Sequence, residues 1–312
     1  MKNVPPSSPL RIGTRGSPLA LAQAVETRTK LMTAWDWPEE AFAVVVIQTS
    51  GDRIQDRPLR LVGGKGLFTK EIEEQLLDGS IDIAVHSMKD MPTAQPDGLV
   101  LDTYLLREDV RDAFVSPSTD SIASLTQGAR VGSSSLRRRA QLMHVRPDLD
   151  VVEFRGNVQT RLKKLAEGVA SCTFLAMAGL NRLNMAHIAT LAIEPEDMLP
   201  AVAQGAIGIE RRSNDSVTAA LLEPLHHAGT GQRLAAERAF LAALDGSCET
   251  PIAGLATLEC SELLLRGEVL RPDGSEKLSG ERRGAIGRGA EMGYDLAQDL
   301  LSQAGPEFFS WR

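Results

Sequence analysis

Along the first part of the chain, segments with the hydrophobic pattern of strands alternate with segments that have the pattern of helices. Short runs of aliphatic and β-branched residues are typical of buried strands, and apolar residues three and four positions apart are typical of helices. The predicted strands cover residues 10–14, 42–49, 81–86, 129–132, 151–154 and 172–176. The predicted helices cover residues 17–33, 67–77, 136–145 and 158–167. This alternation predicts an α/β fold with parallel sheets, in which ligands bind beyond the carboxyl ends of the strands.

The pattern changes after residue 228. The C-terminal elements are a helix, three strands and a last helix, over residues 231–244, 252–258, 263–269, 275–282 and 291–302. Because these strands follow each other without a helix between them, they predict a small α+β domain with an antiparallel sheet.

The composition of the chain argues against several classes of function. The 312 residues are 43% hydrophobic and carry a net charge of −7, which argues against a general nucleic-acid or membrane-surface binder. Residues 1–9 are polar and proline-rich, and no apolar run approaches the length of a membrane span. The three cysteines, Cys172, Cys248 and Cys260, have neither disulfide-framework nor zinc-site spacing. We therefore expect a cytoplasmic protein without a metal site.

Positively charged residues stand where predicted strands end. Arg15 follows the first strand, Lys89 follows the third, and Lys65 lies in a glycine-rich segment, VGGKG. That segment lacks the glycine spacing of a P-loop, which favours a mobile loop that carries a lysine over a site, or a plain surface loop.

The middle of the chain repeats this placement. Arginines occur in the run SSSLRRR (residues 133–139), and Arg155 and Arg161 lie at the start of the next helix. Helix starts favour anions, and arginine binds carboxylates through two hydrogen bonds. Taken together, the cations predict a ligand with several separated negative charges, although residues 137–139 alone are also typical of a solvated helix face.

Two other side chains are candidates for chemistry. Asp90 follows the strand at 81–86, where nearby cations favour its ionised form, and the alternative is a helix cap. Cys248 lies on a loop just past a predicted helix, where a thiol is accessible. Its alternative is an incidental free cysteine, whereas Cys172 has the apolar surroundings of a core residue.

Several segments resemble the porphobilinogen deaminase (hydroxymethylbilane synthase) family, in the order in which that family has them. They are RIGTRGSPLA (11–20), VGGKGLF (62–68), AVHSMKD (84–90), SSLRR (134–138), RGNV (155–158), residues 200–210, and residues 237–251 with Cys248. The resemblance covers essentially the whole chain.

The resemblance implies two lobes similar to type II periplasmic binding proteins, with the active-site cleft between them, and a small C-terminal α+β domain. Lobe one would comprise residues 1–105 with 205–224, lobe two 106–204, and the cofactor-attachment domain 225–312. A monomer is the family expectation.

The activity that this family implies is the head-to-tail condensation of four porphobilinogen molecules on a dipyrromethane primer, with release of ammonia and formation of 1-hydroxymethylbilane. The primer would be a cofactor attached through Cys248 by a thioether, and Asp90 would be the catalytic aspartate. The implied carboxylate-binding residues, matched by motif position, are Arg15, Ser17, Lys65, Lys89, Ser133, Ser135, Arg137, Arg138, Arg155, Arg161 and Arg182.

This sequence departs from the family pattern at a few positions. Leu61 stands where a lysine is common, and Ser247 and Ala203 each replace a frequent glycine. None of these changes removes a charge from the candidate site.

Two other functions are consistent with parts of the pattern. A non-catalytic two-lobed binding protein for an acidic ligand would give Cys248 and the C-terminal domain no purpose. A nucleotide enzyme would need a metal-binding carboxylate cluster, and the sequence shows none.

Overall fold

The computed structural model of the protein describes residues 8–53, 68–247 and 250–311. The chain forms two compact units, Met1–Glu108 with Ala206–Gly231 and Asp109–Gly205 with Gln232–Arg312. The predicted residues Lys65 and Cys248, and the substituted Leu61, lie outside the described residues.

The described strands, in chain order, are β1 (Leu10–Arg15), β2 (Phe42–Ile47), β3 (Ile83–Ser87), β4 (Leu99–Tyr104), β5 (Asp112–Val115), β6 (Arg130–Gly132), β7 (Asp150–Val152), β8 (Cys172–Ala176), β9 (Leu191–Ile193), β10 (Ile207–Arg212), β11 (Ile252–Glu259), β12 (Glu262–Leu270) and β13 (Lys277–Ala285).

The described helices are α1 (Pro18–Trp35), α2 (Ser50–Arg53), α3 (Lys70–Leu77), α4 (Leu136–Val145), α5 (Val158–Ala166), α6 (Met177–Arg182), α7 (Ser216–Leu222), α8 (Ala228–Ala243) and α9 (Gly289–Gln303). Within the described ranges, no helix has the length and apolar character needed to cross a bilayer.

The first unit is built on a five-stranded sheet with the order β2-β1-β3-β10-β4. β1 runs parallel to both β2 and β3, whereas β10 runs antiparallel to β3 and β4. The central strands are buried, and Ile12, Ile83 and Ile209, which share one face of the sheet, have no exposed surface. Burial of such side chains stabilises each by about 1.5–3 kcal/mol, so this sheet forms a rigid base for the residues at its edge.

The second unit contains two sheets. Its five-stranded sheet has the order β7-β6-β8-β5-β9, with β5 antiparallel to its neighbours, and its three-stranded sheet β11-β12-β13 is antiparallel throughout. Helix α9 packs on the three-stranded sheet, burying Met292, Leu296 and Leu300.

The structure confirms the predicted fold class of α/β lobes and a small C-terminal α+β region. The expectation of wholly parallel sheets was wrong, because β10 and β5 run against the strands beside them. Neither strand was predicted, since both contain charged residues that interrupt the apolar run of a buried strand. The three-domain boundaries stay a prediction.

The structure shows the backbone conformation at Ala203, one of the positions that depart from the family pattern. Its backbone is left-handed, with a φ of 61°, a conformation that glycine adopts without strain. The Ala203 N–H donates to Glu237 Oε2 at 2.7 Å, and the Ala256 N–H donates to Glu237 Oε1 at 2.8 Å. The fully buried Glu237 carboxylate therefore ties the strained segment to strand β11.

Replacement of Glu237 tests this tie. Glu237→Ala leaves two buried N–H groups without their charged acceptor, which costs about 3 kcal/mol. We expect the midpoint of thermal unfolding, followed by circular dichroism, to fall by roughly 6–12 °C. The control is Glu259→Ala, which removes a side chain that is 46% exposed in its pair with Arg283. Equal unfolding midpoints for the two variants would contradict the stabilising role of the Glu237 carboxylate.

Candidate active site

A pocket in the first unit collects polar residues that follow β1 and β3. Its lining includes Arg15 at the end of β1, Ser17 at the start of α1, and Asp90 just beyond β3. Since β1 and β3 are parallel neighbours, their carboxyl ends lie at the same edge of the sheet. The structure thus brings three of the predicted site residues together.

Local hydrogen bonds position two of these side chains. The Ser17 hydroxyl caps α1 by accepting from the Ala20 N–H at 3.2 Å, and Pro18 occupies the first turn. Asp90 ends a single 3-10 turn, Met88–Asp90, whose first N–H donates to the Ala206 carbonyl at 3.0 Å. This bond fixes the turn that carries both Lys89 and Asp90, which are each half-buried.

Arg15 is held by an aromatic ring. Its guanidinium lies over the ring of Phe68, 4.1 Å from the centroid. A cation–π contact of this kind contributes about 0.5–1 kcal/mol. The ring of Phe68 therefore helps to orient Arg15 at the pocket.

In the second unit, the serines after β6 are used in local turns. The buried Ser133 hydroxyl accepts from the Ser135 N–H at 3.3 Å. The Ser135 hydroxyl in turn caps α4 by accepting from the Arg138 N–H at 3.4 Å. Both predicted hydroxyls thus lie at a helix start, where N–H groups favour an anion.

Arg137 and Arg138 are buried, and both pair with Asp112. Arg137 Nη1 is 2.7 Å from Asp112 Oδ2, and Arg138 Nη2 is 2.7 Å from Asp112 Oδ1. Arg138 also donates to the Phe174 carbonyl, and the Gln204 amide donates to Asp112 Oδ1 at 2.9 Å. The two arginines are 3% and 5% exposed, so the alternative of a solvated helix face is wrong for them.

The charges around Asp112 govern its titration. Burial alone would raise the pKa of Asp112, but the charges of Arg137 and Arg138 outweigh burial and hold the pKa well below its ordinary value. The folded-state pKa is therefore lower than the unfolded one. This stabilisation is complete above pH ~4 and is lost only on acidification below that value.

Three further predicted cations of the second unit, Arg155, Arg161 and Arg182, are half-buried. Arg155 and Arg161 flank the start of α5, where the Arg161 Nε–H donates to the Gly156 carbonyl at 2.9 Å. Gly156 has a φ of 124°, a backbone conformation that disfavours other residues. At the end of α6, Arg182 Nη2 donates to the Gly205 carbonyl at 3.2 Å. Backbone carbonyls thus help to orient the side chains of Arg161 and Arg182.

The two described cysteines differ in environment. Cys172 has no exposed surface, and burial raises the pKa of its thiol to about 12, which confirms it as a core residue. Cys260 is exposed in the turn between β11 and β12. Beside the position of Cys248, the Ser247 N–H donates to the Thr250 hydroxyl at 3.0 Å.

Sequence reasoning did not identify Asp112, His86 or Glu210 as important residues. Each is a charged or titratable residue within a strand, and all three are buried. A polar residue in such a position needs a partner, and this requirement was the available signal. The partners were not predictable because they come from distant parts of the sequence.

These features define a protein that can hold a ligand with several carboxylates beside one carboxylate of its own. The family model "Porphobilinogen deaminase, dipyromethane cofactor binding domain" matches residues 10–220, and "Porphobilinogen deaminase, C-terminal domain" matches residues 232–302. The chain is 64% identical over 306 residues to a porphobilinogen deaminase of Paracoccus denitrificans (strain Pd 1222), and the alignment covers 98% of each chain.

Similar solved structures include the methionine binding protein MetQ, with a TM-score of 0.44 and 12% identity over 72% of this chain and 90% of that one. Another is the VFT2 domain of Bordetella pertussis BvgS, with a TM-score of 0.41 and 14% identity over 70% of this chain and 87% of that one. The chain belongs to the porphobilinogen deaminase family.

Removal of the Asp112 charge tests the network in the second unit. Asp112→Asn leaves two buried guanidinium groups without their counter-charge, and we expect the free energy of unfolding to fall by about 3–5 kcal/mol. Urea unfolding followed by circular dichroism measures the change. The control Asp102→Asn alters a side chain that is 44% exposed beside Arg211 and costs at most about 1 kcal/mol. If the free energy of unfolding falls no further in Asp112→Asn than in the control, the two arginines do not depend on the charge of Asp112.

Proposed function

We propose that the protein joins four porphobilinogen molecules head to tail on a covalently bound dipyrromethane primer and releases one ammonia with each addition. The product is the linear tetrapyrrole 1-hydroxymethylbilane. Membership of the porphobilinogen deaminase family is the observation that carries this proposal. The chemistry of the pocket that holds Arg15, Ser17 and Asp90 supports it.

The donor set of the described residues fits a dipyrromethane. Each pyrrole ring of the ligand carries an acetate and a propionate, which need cationic or hydroxyl donors, and an N–H group, which needs an acceptor. Arg15 and Ser17 supply donors beside the acceptor Asp90 in one pocket. When bound, the dipyrromethane supplies the nucleophilic ring carbon on which the product is assembled.

We infer that the carboxylates of the ligand bind to cations and hydroxyls at the strand ends. In the first unit these residues are Arg15, Ser17 and Lys89, with Lys65 as the loop lysine. In the second unit they are Ser133, Ser135, Arg155, Arg161 and Arg182. Arg137 and Arg138 stay candidates, although Asp112 already neutralises part of their charge.

Asp90 is the proposed catalytic residue. Loss of ammonia leaves a positive charge on the substrate that spreads to its pyrrole nitrogen. A carboxylate that accepts a hydrogen bond from that N–H stabilises the charge electrostatically.

Cys248 is the proposed attachment point of the primer. A thiolate attacks the same kind of electron-poor carbon that the condensation uses, and it forms a stable thioether. Burial leaves Cys172 a poor nucleophile, since only the thiolate reacts. We further propose a cytoplasmic monomer, which the net charge of −7 and the cysteine content support.

Substitution of Asp90 tests the catalytic assignment. Asp90→Ala retains the fold and the primer but loses stabilisation of the cationic substrate, so kcat for porphobilinogen consumption should fall at least about 100-fold. The assay follows formation of the linear tetrapyrrole, and intact mass reports the bound primer. The control is Asp97→Ala, an exposed loop position of the same unit. Turnover near that of the parent would refute the role of Asp90.

A further inference from the structure

A buried acid and an imidazole meet behind the pocket of the first unit. His86 Nε2 lies 3.0 Å from Glu210 Oε2, and the two side chains are 5% and 0% exposed. The residues come from β3 and β10, which pair with Gly208 opposite His86 and Ala84 opposite Glu210. Both side chains therefore lie on the same face of the sheet.

A second carboxylate adds to this cluster. Burial raises the pKa of Glu73 on α3, a hydrogen bond from Thr69 opposes that effect, and the negative charge of Glu210 raises the pKa further. Glu210 Oε1 is buried and has no hydrogen-bond partner among the described residues. The carboxylates of this cluster can therefore accept more hydrogen bonds than the described residues donate to them. A buried acceptor without a donor destabilises the fold, unless the Glu210 carboxylate stabilises a positive charge.

The imidazole also borders the pocket. His86 lines it together with Thr69, Arg15 and Asp90. Because Nε2 faces the Glu210 carboxylate, the neutral ring carries its proton on Nε2 and presents an unprotonated Nδ1. No described residue bonds Nδ1. A carboxylate behind an imidazole with one open nitrogen is the arrangement by which proteins orient a base.

We propose that His86, oriented by Glu210, is the base that removes the ring proton after each condensation. This inference rests on the proposed function. Once the new carbon–carbon bond has formed, the C–H bond of the attacked ring carbon breaks and its electron pair restores the aromatic ring. The proton passes to His86 Nδ1, Glu210 stabilises the imidazolium, and the expelled ammonia takes the proton as ammonium.

The tautomer of His86 gives a test that does not depend on turnover. The protein has five histidines, so their ring nitrogens can be resolved by ¹⁵N nuclear magnetic resonance. We expect the Nε2–H tautomer in the parent protein and a mixture of tautomers in Glu210→Gln, whose amide can both donate and accept. An Nδ1–H ring in the parent would overturn the proposal, because that nitrogen could not accept a proton.

Kinetics test the chemical step itself. His86→Gln should lower kcat about 100-fold with little change in KM. Porphobilinogen deuterated at its free ring carbon should then show a larger isotope effect on kcat than in the parent, because proton removal has become limiting. Glu210→Gln, which keeps the imidazole, should lower kcat at least about 10-fold. Intact mass confirms that each variant carries the primer.

The control is His187→Gln, which changes an exposed histidine of the second unit. Parent-like kcat and isotope effect in His86→Gln would overturn this inference alone. If His86→Gln does not fold, an unchanged kcat in Glu210→Gln overturns it instead. A parent protein that leaves porphobilinogen unchanged would overturn the proposed function, and this inference with it.

Discussion

The second unit depends on the buried carboxylate of Asp112. This one side chain pairs with Arg137 and Arg138 of α4 and accepts from Gln204, which precedes strand β10. Two buried guanidinium groups would be strongly destabilising without a counter-charge. Because the pairs fix the start of α4, they also fix the hydroxyls of Ser133 and Ser135 at that helix end.

The same network separates structural cations from candidate ligand-binding cations. Arg137 and Arg138 use their charge inside the protein, whereas Arg155, Arg161 and Arg182 are half-buried, and the last two donate to the carbonyls of Gly156 and Gly205. A backbone carbonyl orients a guanidinium without neutralising it, which is consistent with the anion-binding role that we propose for Arg161 and Arg182. In the first unit, Arg15 is held in a comparable way by the ring of Phe68.

Much of this organisation could be predicted from local sequence patterns. Helix α4 and strand β8 have the predicted bounds, and Arg15, Ser17 and Asp90 share one pocket as strand-end residues should. The pairing of Asp112 with α4 could not be predicted, because periodicity carries no information on contacts across a sheet. The antiparallel strand β10 was missed for a related reason. The charge of Glu210 argues against a buried strand, and its partner His86 comes from a distant part of the sequence.

We propose above all that the chain carries its own primer on Cys248. The intact mass of the purified protein under denaturing conditions, followed by peptide mapping, tests this claim most directly. We predict an excess mass equal to two linked pyrrole units, located on the peptide that contains Cys248. A thiol on that peptide that stays unmodified even after incubation with porphobilinogen would contradict the claim.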